Sequence, residues 1–143
     1  MDLDATPAAA PEWQGALEAV IAGARRRSFE WGVHDCVLFA AEAVRIRTGR
    51  AVLDIPVTWT SALEAHRALQ AHGGLRAAVS ARLGEPVGVL GARIGDVALV
   101  RDAANGGNEL LGVFHDQQVL CPAAAGLARL RLDAAACRWK VGR

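Results

Sequence analysis

The spacing of apolar residues changes period near Gly84, and this change most constrains what the chain can fold into. Before it, Trp13, Leu17, Val20, Ile21 and Ala24 recur at three- and four-residue intervals. So do Cys36, Phe39, Ala40, Ala43 and Val44, and each set makes one buried stripe of a helix. After it come short apolar runs flanked by glycine or alternating with polar residues, the pattern of strands. Helices first and strands after predict an α+β fold, with N-terminal helices packed on a C-terminal antiparallel sheet.

Local signals mark the elements. Residues 1–10 are rich in Ala and Pro, show no period and predict a loose arm. A single domain then fills residues 11–143. Its first helix should run from Pro11, suited to a first turn, to Arg27. A second should run from Asp35 to Thr48 and stop at Gly49. Ser61-Ala62-Leu63-Glu64 has the capping-box pattern and opens a helix reaching His72 before Gly73-Gly74. Leu75 to Leu83 predicts a fourth, closed by Gly84. Strands are expected at Pro86–Leu90, Asp96–Val100, Leu110–Phe114, Gln118–Cys121, Leu127–Leu132 and Cys137–Val141, with Asn105-Gly106-Gly107-Asn108 turning before the third.

Composition removes several classes of function. A formal net charge of +1 argues against polyanion binding through overall charge, so no nucleic-acid partner is expected. Lys140 is the only lysine beside fifteen arginines. Arg25-Arg26-Arg27 reads either as a solvated, dipole-complementing helix end or as a contact for a phosphate or acidic partner. Cys36, Cys121 and Cys137 are too few and too irregular for a disulfide framework, and no Cys-x-x-Cys pair suggests zinc. No segment approaches the roughly 20 apolar residues that span a bilayer. The acidic start, Met1-Asp2-Leu3-Asp4, lacks the apolar run of a secretory signal. Synthesis in the cytoplasm is therefore expected, with no cofactor.

The residue with chemistry to offer is Cys36. Asp35 is a favoured N-cap type, which leaves the thiol on the first turn among unpaired N–H groups. The positive helix end is worth ~0.3–1 kcal/mol to a thiolate, so a reactive cysteine is one reading. The other is a small buried hydrophobe filling space. Of the four tryptophans, Trp59 lies in the most exposed-looking loop, Ile55-Pro56-Val57-Thr58-Trp59.

An Asp-Cys pair opening a helix, then Gly95-Asp96 opening a strand, then Leu111-Gly112-Val113-Phe114 in the next, resembles the NlpC-type papain-like cysteine peptidases. Trp31-Gly32, Ile94-Gly95-Asp96-Val97, Leu111-Gly112-Val113 and Arg138-Trp139-Lys140-Val141 look like a small phage- and prophage-associated branch of that fold. The resemblance runs from about Trp31 to Val141. It implies Cys36 as nucleophile, with Asp35 and Asp96 structural at the site. The family's histidine opens the strand written His-x-Gly-x-aromatic, and anchoring that pattern on Gly112 puts Leu110 there. The third polar residue falls near Cys121 or Pro122, and neither orients an imidazole.

Other histidines are poorly placed to replace it. On a regular strand His115 faces away from Leu110's side and lies about 17 Å along. His34 would have to fold back over its own helix start, and His66 and His72 read as surface or core-edge residues. A metal module from His34, Cys36, His115 and Cys121 has no supporting spacing. Thiol chemistry needs a base within hydrogen-bond reach. The expectation is thus a structural or assembly component of a phage-like particle, at the tail tip, on a hydrolase fold with a degraded site. Its partners would be other tail or tail-tip proteins and peptidoglycan. The alternative is an active cysteine peptidase that cuts peptidoglycan stem peptides during entry, with His34 or His115 as an unorthodox base.

Overall fold

The computed structural model describes residues 12–102 and 108–142. The arm at residues 1–10 and the turn residues Asn105, Gly106 and Gly107 lie outside them. Four helices come first: α1 (Trp13–Ala24), α2 (Cys36–Thr48), α3 (Ala62–Gln70) and α4 (Leu75–Leu83). Five strands follow: β1 (Val97–Asp102), β2 (Asn108–His115), β3 (Gln118–Ala123), β4 (Gly126–Leu130) and β5 (Ala135–Trp139). The expected α+β class and the order of its halves are what the chain adopts.

Capping explains most boundaries. The Asp35 side chain accepts the Leu38 N–H at the start of α2, and Gly49, with φ of 77°, donates to the Arg45 carbonyl at its end. At α3 the Ser61 hydroxyl accepts from the Glu64 amide, while Glu64 reaches back to the Thr60 amide, one residue earlier than a standard capping box. That helix stops at Gln70, because Ala71 to Gly74 turn out of it. Likewise α1 ends at Ala24, three residues before Arg27, where the chain tightens into turns bonded to Gly23 and Ala24.

All strand neighbours are antiparallel, in the order β4-β3-β2-β1-β5. Side chains alternate between two apolar layers. Val97, Leu99, Leu111, Val113, Leu120 and Trp139 face α1 to α4, while Ala98, Val100, Phe114, Val119 and Cys121 form a smaller core on the other face. Helix α2 lies against β2 and β3, and α1 lies against α2. Gly112 faces the smaller core, where a Cβ would overlap Val119 Cγ1. Asp116 and Gln117, with φ of 48° and 60°, make the two-residue turn closed by His115 and Gln118.

Three expected strands are altered. Pro86–Leu90 is not a strand; only Val87 bridges, to Arg138. Pro86 has no N–H to give, and the Gly88 and Leu90 carbonyls are taken by the Arg138 guanidinium, at 2.8 and 3.0 Å. Residues 127–132 end as a strand at Leu130, because Leu132–Ala134 winds into a 3-10 turn that joins the smaller core. The last strand lies two residues earlier than expected, at Ala135–Trp139.

Asp96 ties these pieces together. Fully buried, it accepts from the Arg93 amide (3.0 Å), the Val141 amide (3.1 Å) and Arg138 Nη1 (2.9 Å). Arg138 is itself 6% exposed. Removing one partner of such a pair strands the other charge in the core, which costs about 3–5 kcal/mol. Arg138→Ala should therefore lower the free energy of unfolding by that amount in urea denaturation, whereas exposed Arg131→Ala should change it by under about 0.5 kcal/mol.

Candidate functional site

The entry to α2 is organised by one carboxylate. Asp35 is fully buried; its Oδ1 accepts from the Leu38 amide at 3.0 Å, and its Oδ2 from the Gly32 amide at 2.9 Å and Trp59 Nε1 at 2.8 Å. Gly32 has φ of 77°, and a Cβ on it would overlap the Trp59 carbonyl oxygen, so only glycine fits this turn. The Glu30–His34 bridge closes the same turn. The expected exposure of Trp59 is corrected: it is 2% exposed, because its indole packs in the main core and gives its N–H to Asp35.

Cys36 follows directly, at the first position of α2. Cys36 is 5% exposed and borders a cavity of about 730 Å³ between α3 and the outer ends of β1 and β2. Trp31, Trp59, Leu63, Leu69 and Leu110 form apolar wall, and His66, Gln70, Asp102 and Glu109 supply polar groups. Burial pushes the thiol from an ordinary 9.0 to about 11; the Asp35 charge adds to the rise, and backbone hydrogen bonds from Leu111, Cys36 and Val37 oppose it. Of the two readings of Cys36, this burial favours the small space-filling hydrophobe over the reactive thiolate. Desolvation outweighs the dipole, and the sulfur is a thiol at neutral pH.

Leu110 borders the same cavity as Cys36. His115 lies at the far end of β2, where its Nε2 is 2.5 Å from Glu18 Oε2 on α1, beside a separate cavity of about 1180 Å³. His115 faces the helical layer, as Leu111 and Val113 do, but it does not line the Cys36 cavity. His34 is buried against Phe39 with its Nε2 unpaired, and it does not line the Cys36 cavity. Burial, then the Arg27 charge, lowers its pKa, which disfavours the imidazolium that a base must form. Asp96 belongs to the Arg138 network, away from the thiol. Cys121, near the expected third position, faces the smaller core across the sheet.

His66, read from the sequence as a surface or core-edge residue, is also part of the Cys36 cavity wall. It is exposed on α3, and it lines the Cys36 cavity together with Ala62, Leu69 and Gln70. Those residues sit three or four positions from it, so the helical spacing carried a usable signal. Trp59 as partner to Asp35 had no such signal, lying 24 residues away. Among the described residues, no group of three or more His, Cys, Asp or Glu side chains could hold a metal ion.

The raised thiol pKa has a consequence for stability. The folded chain holds the Cys36 proton that the unfolded chain releases near 9.0, so this contribution is complete below pH 9.0 and is lost as pH rises to about 11. Unfolding free energies from urea titrations at pH 8 upward should fall across that window by at most about 1.4 kcal/mol per pH unit for this thiol. Cys36→Ala should flatten the fall, with Cys121, pushed up to about 12, supplying what remains.

Comparison with curated proteins gives no match. Residues 8–141 match the pattern of one family, so that the chain belongs to the family described as Domain of unknown function (DUF6950).

Proposed function

We propose that this protein is a structural or assembly component of a phage-like particle, at the tail tip, built on an NlpC-type papain-like domain whose hydrolytic site has decayed. The observation that carries the loss of chemistry is Leu110 bordering the Cys36 cavity where a histidine would act. A leucine accepts no proton, and a thiol with its pKa pushed up to about 11 is almost wholly protonated at neutral pH. General-base assistance is worth ~10²–10⁴-fold, and neither His34 nor His115 is placed to supply it. Assignment to a tail assembly rests on the likeness of Trp31-Gly32, Asp35-Cys36, Gly95-Asp96, Leu111-Gly112 and Arg138-Trp139 to the phage-associated branch. In this reading the protein is made in the bacterial cytoplasm, is held by neighbouring tail proteins, and meets peptidoglycan as a surface.

The test has two arms. Purified particles should contain the protein in fixed stoichiometry, and Cys36→Ala should assemble and infect as the parent does. Incubation of the protein with purified peptidoglycan should release no soluble fragments. Release that disappears in Cys36→Ala would refute the decayed-site reading, and absence from the particle would refute the assembly role.

A second reading has its own support. His66 and Cys36 line one cavity, and Trp59 forms part of its wall, so an active cysteine peptidase acting on peptidoglycan stem peptides would draw its base from α3. If that is the activity, His66→Ala should abolish fragment release by about 10²-fold or more, while His115→Ala leaves it unchanged.

A further inference from the structure

The two edges of the sheet are treated differently. On the β5 side, Val87 bridges to Arg138, whose guanidinium also takes the Gly88 and Leu90 carbonyls, so that edge is covered. On the other side β4 is outermost. Its pairing with β3 is closed by Ala124 and Ala125 between Ala123 and Gly126, a two-residue hairpin whose closing pair exchanges hydrogen bonds. Alternation then turns Gly126, Ala128 and Leu130 toward β3 and sends the N–H and C=O of Leu127 and Arg129 outward. Pro122, with no N–H, sits opposite Leu127 in a non-bonded pair, as this phase requires. Among the described residues, no backbone group bonds to that outer edge.

The edge is also basic. Arg129 is exposed on it, and the Arg131 side chain just beyond is 88% exposed. At the other end, the Phe29 amide bonds to the Ala123 carbonyl, and the Arg25 carbonyl lies against Gly126, which brings exposed Arg25, Arg26 and Arg27 to the start of the strand. The acidic groups nearby are Asp133, 3.4 Å from Arg131, and exposed Glu30. Charge on an edge strand repels indiscriminate pairing. Pairing β4 with the β4 of a second copy would set like charges against each other. An acidic strand would meet complementary charge at both ends and unpaired backbone between them.

We propose that the outer edge of β4 is a docking site for an extended acidic segment of a partner protein, which adds to the sheet as a sixth strand held by Leu127 and Arg129. The inference is independent of whether Cys36 has any chemistry. The probe is a short fluorescent peptide alternating threonine with glutamate, titrated against the full chain by anisotropy. A threonine–lysine peptide and a glutamate peptide N-methylated on alternate residues are the controls. The glutamate peptide should bind below about 1 mM, slow hydrogen exchange at the Leu127 and Arg129 amides, and lose about tenfold in affinity in Arg129→Glu/Arg131→Glu. The N-methylated peptide, which leaves the protein untouched, should not bind. Equal binding of the lysine peptide, no binding of the glutamate peptide, unchanged exchange at those amides, or self-association of the chain through β4 would each overturn the proposal.

Discussion

The position of the candidate site depends on how one buried carboxylate is satisfied. Asp35 has no exposure, and a charge in that setting is tolerable only with close donors. Three N–H groups supply them, from the entry turn at Gly32, from the first turn of α2 at Leu38, and from the Trp59 indole. The single side chain therefore sets where α2 begins, how the preceding turn approaches it, and where the loop before α3 is held. Cys36 occupies its place at the cavity as a consequence. Asp96 does the same elsewhere, tying the entry to β1 to the residues after α4, to Arg138 of β5 and to the Val141 amide beyond it.

The chemistry of Cys36 is decided by a competition between short-range effects. The helix start and nearby backbone amides favour a thiolate, and an exposed cysteine there would be reactive. Packing against the Leu111 end of β2, beside the Asp35 charge, removes the water that a thiolate needs. The ~0.3–1 kcal/mol from a helix dipole does not offset that desolvation. A histidine at position 110 would put an ionisable group on the wall of the same cavity. With leucine the site is a packed corner of a cavity.

Elements defined by local chemistry were legible. The stripe of α2, its Asp35 cap and Gly49 stop, and the Ser61 cap all follow from residues within a few positions of each other. Boundaries set by distant partners were not. Pro86–Leu90 has a strand's composition, but its carbonyls go to a guanidinium from residue 138, so no ladder forms. Leu132 continues an alternating pattern, yet the smaller core behind the sheet draws the chain into a turn. Trp59 sits in a proline-containing loop and is nevertheless core, its N–H given to Asp35 at the start of α2.

By itself the sequence determined the α+β class, the Asp35–Cys36 helix entry and the absence of a histidine at position 110, since each depends on side-chain period, cap chemistry or identity at a single position. The tertiary structure alone decided that burial raises the thiol pKa, that His115 pairs with Glu18, that His66 shares the Cys36 cavity and that, among the described residues, no strand lies on the outer edge of β4. Desolvation, ion pairing and edge exposure depend on which residues far apart in the chain come within a few ångström, and only the packed sheet and helices set those distances.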